Sequence, residues 1–205
     1  MALDRHCGTQ MLTGSDGDYM VKLWDMETMS STLRPFKQLK PFDGHPVRAL
    51  SFCPDQNASM FLSCCGNNQA RVYRSDGSKH RTTVRGDMYI QDMAQTKGHV
   101  ASISGGQWHP KNAEEFLTSS IDGTVRIWNV ANGKLVGMEQ NLSYKQLLKA
   151  KDAKGLKTGV SASSYCHKGD LVLAGCLDGS IQVWDLRANT LHRPSLLIER
   201  AHDMN

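Results

Sequence analysis

The residues of this 205-residue chain that could do chemistry are eight histidines, six cysteines, a set of turn aspartates, a run of lysines and a Trp-Asp-Leu-Arg box. Metal binding would need histidine or cysteine at ligand spacing. Cys7, Cys53, Cys64, Cys65, Cys166 and Cys176 contain no CxxC pair, and no histidines stand as HxH or HxxxH. No metal and no cofactor is therefore expected, and the cysteines read as free thiols of a reducing compartment. Cys64-Cys65 reads as two small residues alternating across a buried strand, with a strained vicinal disulfide or a metal with distant partners as the alternatives. Hydrolysis, phosphoryl transfer and nucleophilic catalysis each need their own local pattern. The chain has no Walker loop, GxSxG, HExxH or kinase signature, so an enzyme is not expected.

The remaining chemistry is recognition. Lys145, Lys149, Lys151, Lys154 and Lys157 face one acid, Asp152, a local charge of +4 that equals the net charge of the whole chain. Such a cluster could meet an acidic protein surface or phosphate by point charge, or it could be a solvated sheet edge in which lysine discourages strand addition. No aromatic residue is interleaved with it, so base stacking is not indicated. Asp87 and Asp92 flank Tyr89 and could attract Mg²⁺ or a basic peptide. The favoured reading makes them loop acids with Tyr89 and Ile90 packed beneath. Ser75 to Arg81 reads as a hairpin turn.

The elements that position these residues form a repeat. Four segments share a small-residue strand, an acidic or amide tight turn, and an alternating strand ending in an aromatic: Leu12 to Asp25, Phe61 to Tyr73, Phe116 to Trp128 and Leu171 to Asp185. The closing aromatics Trp24, Tyr73, Trp128 and Trp184 lie 49, 55 and 56 residues apart. A second mark recurs as Gly44-His45, Gly98-His99, a degraded Thr158-Gly159, and Ala201-His202.

This Gly-His … Trp-Asp grammar resembles the WD-repeat family of β-propellers, with four strands per blade. Its polar residues then have a structural purpose. Asp122, like Asp16 and Asp178, accepts a hydrogen bond from a blade histidine such as His99, which pairs with a strand hydroxyl near Ser120 that reaches the indole of Trp128. The second repeat departs from the pattern, with Tyr73 for tryptophan, Asn67 or Asn68 for aspartate, and Pro46 after His45. The fourth has no histidine, so both chains are expected to be incomplete.

Arg85 to His99, Gln107 to Lys111 and Gly179 to Asp185 together resemble the gastrulation-defective protein 1-related family of nuclear WD-repeat propellers, in order from about Leu12 to His202. The resemblance implies a nuclear, non-enzymatic scaffold on chromatin, active at DNA double-strand breaks and in histone ubiquitination with a cullin-4-type ligase. Trp184, Asp185 and Arg187 resemble the WDxR box of propellers that dock on that ligase's damaged-DNA-binding adaptor, although an arginine there also pairs within its own blade. Partner binding is thus expected at Trp184, Asp185 and Arg187, and at Lys149, Lys151, Lys154 and Lys157. The alternative is a structural subunit of an RNA-processing (spliceosomal) ribonucleoprotein, held through the lysines.

Length fits one large domain or two small ones, and 40% hydrophobic and 21% charged residues are an ordinary soluble composition that excludes disorder and collagen. No stretch reaches the ~18 apolar residues of a bilayer span, and Met1 to Cys7 lacks the pattern of a signal peptide. The expected fold is all-β, about four four-stranded blades, with repeats at about 1–42, 43–84, 98–138 and 158–194 and inserted connections at 85–97 and 139–157. Since the resembled family's propellers have about seven blades, an open arc, part of a larger ring, is favoured over a closed four-bladed one.

Overall fold

The computed structural model describes all residues except 5–7, 29–32, 56–58, 91, 137–138, 189–192 and 203–205, and only the backbone of 132–136 and 139–140. Among the described residues sixteen strands make four units of four. The first holds β1 (Ala2–Leu3), β2 (Gln10–Gly14), β3 (Val21–Asp25) and β4 (Lys37–Leu39). The second holds β5 (Val47–Phe52), β6 (Met60–Cys65), β7 (Ala70–Arg74) and β8 (Lys79–Thr83). The third holds β9 (Ile103–Trp108), β10 (Glu115–Ser120), β11 (Thr124–Val136) and β12 (Glu139–Lys149). The fourth holds β13 (Val160–Tyr165), β14 (Leu171–Cys176), β15 (Ile181–Asp185) and β16 (Leu196–Ile198). Within each unit the strands pair antiparallel in chain order. Residues 139–149, placed in a connection by the repeat spacing, are instead β12, the outer strand of the third unit. The β11–β12 hairpin is long enough for Asn141 and Leu142 to pair in parallel with Thr82 and Thr83 of β8, joining two blades in one eight-stranded sheet.

The middle strands read as continuous apolar runs because each blade is covered on both faces. In β10, Phe116 faces a cluster shared with the second blade, including Leu62, Val72 and Trp108. Its neighbour Leu117 faces a cluster shared with the fourth, including Val160, Val172 and Trp184. In β6, Phe61 packs with Leu12, Leu23 and Tyr73 on the first blade's side, while Leu62 turns to the third. Period-2 alternation across a sheet thus divides consecutive apolar residues between two interfaces. Cys64 and Cys65 are both buried and both free. A Cβ at Gly106 of β9 would meet the Cys64 sulfur at 2.4 Å, so that glycine lets the second and third blades close up.

Packing runs from blade to blade in sequence: β1 and β2 on β5, β5 and β6 on β9, and β9, β10 and β11 on β13. Among the described residues the fourth blade makes no packed interface with the first, so the four blades form an open arc with β5, β9 and β13 on its inner side. One end of the arc carries the starts of these inner strands and the β6–β7, β10–β11 and β14–β15 turns. The other end carries the β7–β8 turn and the Trp-Asp-Leu-Arg box.

Candidate functional site

The polar chain of the third blade is fully formed. His99 Nδ1 lies 3.0 Å from Asp122 Oδ2, and His99 Nε2 lies 2.8 Å from the hydroxyl of Thr118, which accepts the Trp128 indole N–H at 2.7 Å. The strand hydroxyl is that of Thr118, two residues before Ser120. Trp128 pairs directly with Phe116, so its ring reaches the diagonal neighbour Thr118, while Ser120 lies opposite Thr124, four residues along β11. Ser120 serves the turn, donating to the carbonyls of Ala101 and Ser102 and accepting from the Asp122 N–H. Asp122 also accepts from the N–H groups of Val100 and Thr124 and from the Thr124 hydroxyl. Gly123, at φ +75°, turns the chain in a conformation other residues avoid. Burial pulls the His99 pKa down against the pull of Asp122. Burial works to raise Asp122, but the bonds from His99, Thr124 and Val100 outweigh it and hold its carboxyl at about 2. The result is a neutral imidazole beside a carboxylate, sealed from solvent, with every link satisfied.

The other blades keep parts of this chain. In the first, Trp24 donates to Thr13 at 2.9 Å, the same diagonal as Trp128 to Thr118, while Asp16 is exposed on its turn. In the second, Tyr73 stacks on Phe61 at 5.4 Å, and among the described residues no hydrogen bond joins His45 to Asn67 or Asn68. In the fourth, Ala174 stands at the diagonal position from Trp184, and the buried indole N–H has no partner among the described residues. Asp178 caps its own turn by accepting from the N–H and hydroxyl of Ser180.

A second repeated bond was not legible in the motif. The residue two before each closing aromatic is Lys22, Arg71, Arg126 or Gln182. In three blades it reaches back to the connection that enters that blade. Arg71 donates to the Pro41 carbonyl and covers the Phe42 ring at 3.9 Å. Arg126, fully buried, donates to the carbonyls of Met93 and Thr96 at 2.9 Å and to the Thr96 hydroxyl at 2.7 Å, and lies over Tyr144. Gln182 donates to the Lys151 carbonyl at 2.7 Å and accepts from the Lys151 N–H at 3.4 Å. In the first blade Lys22 pairs instead with Asp18 at 3.0 Å. The 85–97 connection is further held by Tyr144, which donates to the Ala94 carbonyl, and by the Lys149–Asp92 pair at 2.8 Å.

These bonds divide the expected partner residues. Lys149 is engaged by Asp92, and Lys145 by Glu115 at 2.5 Å, so neither is a free cation. Lys151, Lys154 and Lys157 stand exposed on a short loop closed by the Lys151–Lys157 bridge and by Asp152, which accepts from the N–H groups of Gly155 and Leu156. Trp184 is buried and cannot touch a partner, because the alternation that exposes Arg187 sends the indole into the blade interface. Arg187 is 68% exposed in its side chain, yet its fork is bidentate on Asp185 at 3.1 and 2.9 Å, with Asp170 at 3.8 Å. The lysine loop and Arg187 lie at opposite ends of β15, about 10 Å apart along the strand between Gln182 and Asp185. Tyr89, expected to pack beneath its loop, is 89% exposed, because an Asx turn from Asp87 to its N–H points the ring outward. Residues 75–78 form the β7–β8 turn, with Gly77 N–H donating to the Arg74 carbonyl, and 79–81 open β8. Among the described residues no group of three or more His, Cys, Asp or Glu is placed to hold a metal.

Comparison with known proteins places this geometry. The family model for the WD domain, G-beta repeat, matches residues 36–74, 91–129 and 150–185. The chain is 41% identical over 188 residues to the gastrulation defective protein 1 homolog of Drosophila melanogaster, covering 90% of this chain and 27% of that protein. It is 40% identical to WD repeat-containing protein 70 of Xenopus tropicalis, covering 87% of this chain and 27% of that protein. The human WD repeat-containing protein 70 is 38% identical over 96% of this chain and 28% of its own length. The chain thus spans little more than a quarter of these relatives. Among solved structures, the β-propeller domain of Cps50 (Swd1) from Myceliophteria thermophila superposes with a TM-score of 0.66 at 21% identity, covering 92% of this chain and 51% of that one, a likeness of fold. With three matched repeats over more than half its length and four blades in its structure, the chain belongs to the WD domain, G-beta repeat family.

Proposed function

We propose that this chain is a nuclear, non-enzymatic scaffold that joins chromatin to a cullin-4-type ubiquitin ligase in the response to DNA double-strand breaks. The observation that carries the scaffold reading is the complete burial of His99, Asp122, Thr118 and Trp128. The repeat's own acid–base pair, His99 and Asp122, is consumed in holding strand register, which supports binding as the work of the surface. The likeness to WD repeat-containing protein 70 supports the family part of the reading. Arg187 supports adaptor docking: its planar fork is exposed at the blade rim and pre-oriented by Asp185. Docking would exchange Asp170, the weaker partner at 3.8 Å, for an acidic or carbonyl group of the adaptor.

The test is precipitation of the ligase's damaged-DNA-binding adaptor by the purified chain and by Arg187→Ala. Loss of capture with an unchanged melting curve supports docking, and equal capture by the variant removes it. The exposed Lys151, Lys154 and Lys157 favour a second reading, a subunit of an RNA-processing ribonucleoprotein. That reading requires RNA binding whose logarithm falls linearly with the logarithm of salt concentration.

A further inference from the structure

The end of the arc that carries the inner-strand starts has a cleft of about 430 Å³ built from three blades. Its apolar wall is Ile121 and Leu177, 50% and 53% exposed, which occupy the same position in the β10–β11 and β14–β15 turns, one residue before the turn aspartate. The first and second blades have Ser15 and Gly66 there. Turns favour polar residues and glycine, and neither aliphatic side chain is needed for the turn, since Asp122 and Asp178 supply its hydrogen bonds. Both are nonetheless fixed. The Ile121 N–H donates to the Ser102 carbonyl and the Leu177 N–H to the Gly159 carbonyl, as Gly66 donates to Pro46 in the second blade. Gly159 is the spacer between them: a Cβ there would meet Leu177 at 2.6 Å and the Ile121 carbonyl at 3.1 Å. The floor is the buried Ile103, and the far wall is Pro46, packed on Gly66.

Charge at this cleft has one sign. Arg48 lines it, is exposed, and has no ion-pair or hydrogen-bond partner among the described residues. Among the described residues no aspartate or glutamate lines it. On the outer side of the β10–β11 turn, the Lys157 side chain lies against Gly123, so the free lysines of the 151–157 loop border the same end of the arc. A rigid aliphatic wall between an unpaired guanidinium and a set of free ammonium groups is complementary to one kind of partner.

We infer that this cleft is a docking site for an acidic segment of a partner protein that inserts an aliphatic side chain between Ile121 and Leu177. Its flanking carboxylates meet Arg48 on one side and Lys157 on the other. The inference deepens the scaffold reading by naming the partner chemistry at this end of the arc, and it does not depend on Arg187. The probe is a phage-displayed library of random seven-residue peptides, panned on the full chain and on three variants: Ile121→Ser with Leu177→Ser, Arg48→Glu, and Arg187→Ala. The full chain and Arg187→Ala are expected to enrich peptides with one aliphatic residue flanked by aspartate or glutamate. The selected peptide, resynthesised, should bind the double serine variant about tenfold more weakly, the loss of roughly one aliphatic contact. Arg48→Glu should select lysine or arginine beside the aliphatic residue instead. All the altered side chains are exposed, so melting temperatures should not change, which separates lost binding from lost folding. Enrichment of no sequence, or of the same sequences by the double serine variant, overturns the inference. If that happens while Arg187-dependent adaptor capture persists, the cleft fails and the scaffold reading stands. If acidic peptides are selected but the adaptor is not captured, the adaptor reading fails alone.

Discussion

Replacing Thr118 with valine keeps the β-branch and nearly the volume of the side chain but removes the one hydroxyl that joins His99 to Trp128. The indole N–H and His99 Nε2 both lose their partner in a site sealed from water. A buried donor or acceptor left unsatisfied costs about 1–3 kcal/mol, so the pair should cost about 2–6 kcal/mol. That is a large share of the ~5–15 kcal/mol that holds a folded domain together. Thr13→Val in the first blade is the internal control. There the hydroxyl serves only Trp24, half-buried and within reach of water, and the loss should be about 0.5–1.5 kcal/mol. Urea unfolding followed by tryptophan fluorescence, with midpoints compared at constant slope, measures both. A Thr118→Val cost no larger than that of Thr13→Val would refute the reasoning, because it would mean the closed chain adds nothing to an ordinary indole bond.

Three other perturbations follow from the same structure. Ala174→Ser should stabilise the chain by about 1 kcal/mol by giving the orphaned Trp184 indole an acceptor, read as a higher urea midpoint. Burial lowers the pKa of His80, His99 and His109, so below pH ~6.5 the unfolded chain binds protons that the folded chain refuses. Stability should therefore be complete above that pH and fall as pH drops through 6 toward 5, and a midpoint that stays flat or rises would contradict this. Slight burial raises the Cys166 pKa, but the N–H groups of Leu171, Gly169, Lys168 and Asp170 outweigh it and lower the thiol, whereas burial pushes Cys53 and Cys176 up to about 11. Iodoacetamide near neutral pH, followed by peptide mapping, should label Cys166 ahead of Cys53, Cys64, Cys65 and Cys176.

The all-β propeller arc was legible because its signal is repeated. The order small-residue strand, tight turn, alternating strand and closing aromatic (Trp24, Tyr73, Trp128 and Trp184) recurs, and a local rule that holds four times is hard to imitate by chance. The chain from Asp122 to Trp128 was legible as a type of network, with its hydroxyl located only to the neighbourhood of Ser120. Choosing Thr118 over Ser120 requires the cross-strand register, and the β10–β11 register is set by a turn whose length the motif alone does not fix. For 139–149 the repeat spacing suggests a connection while the sheet-edge reading of its lysines matches β12, because a lysine-rich outer strand has little apolar alternation to mark its start. Tertiary bonds left no linear trace. That Asp92 neutralises Lys149, or that Arg126 is fully buried and ties down Met93 and Thr96, depends on which connection folds over which blade. Position does carry a hint, since Arg71, Arg126 and Gln182 share one offset from the closing aromatic. Exposed Ile121 and Leu177 were hidden by lying in turns, where an apolar residue carries no periodicity.

The scaffold account is tested most directly by lysine-reactive cross-linking of the chain with the damaged-DNA-binding adaptor of a cullin-4-type ligase, mapped by mass spectrometry. Lys168 is exposed on the β13–β14 turn, two residues from Asp170 and at the Arg187 end of the fourth blade. The account predicts cross-links concentrated at Lys168 and lost on Arg187→Ala, with the lysines at the far end of the arc unlinked to the adaptor. Cross-links that avoid Lys168, or that persist unchanged in Arg187→Ala, would contradict it.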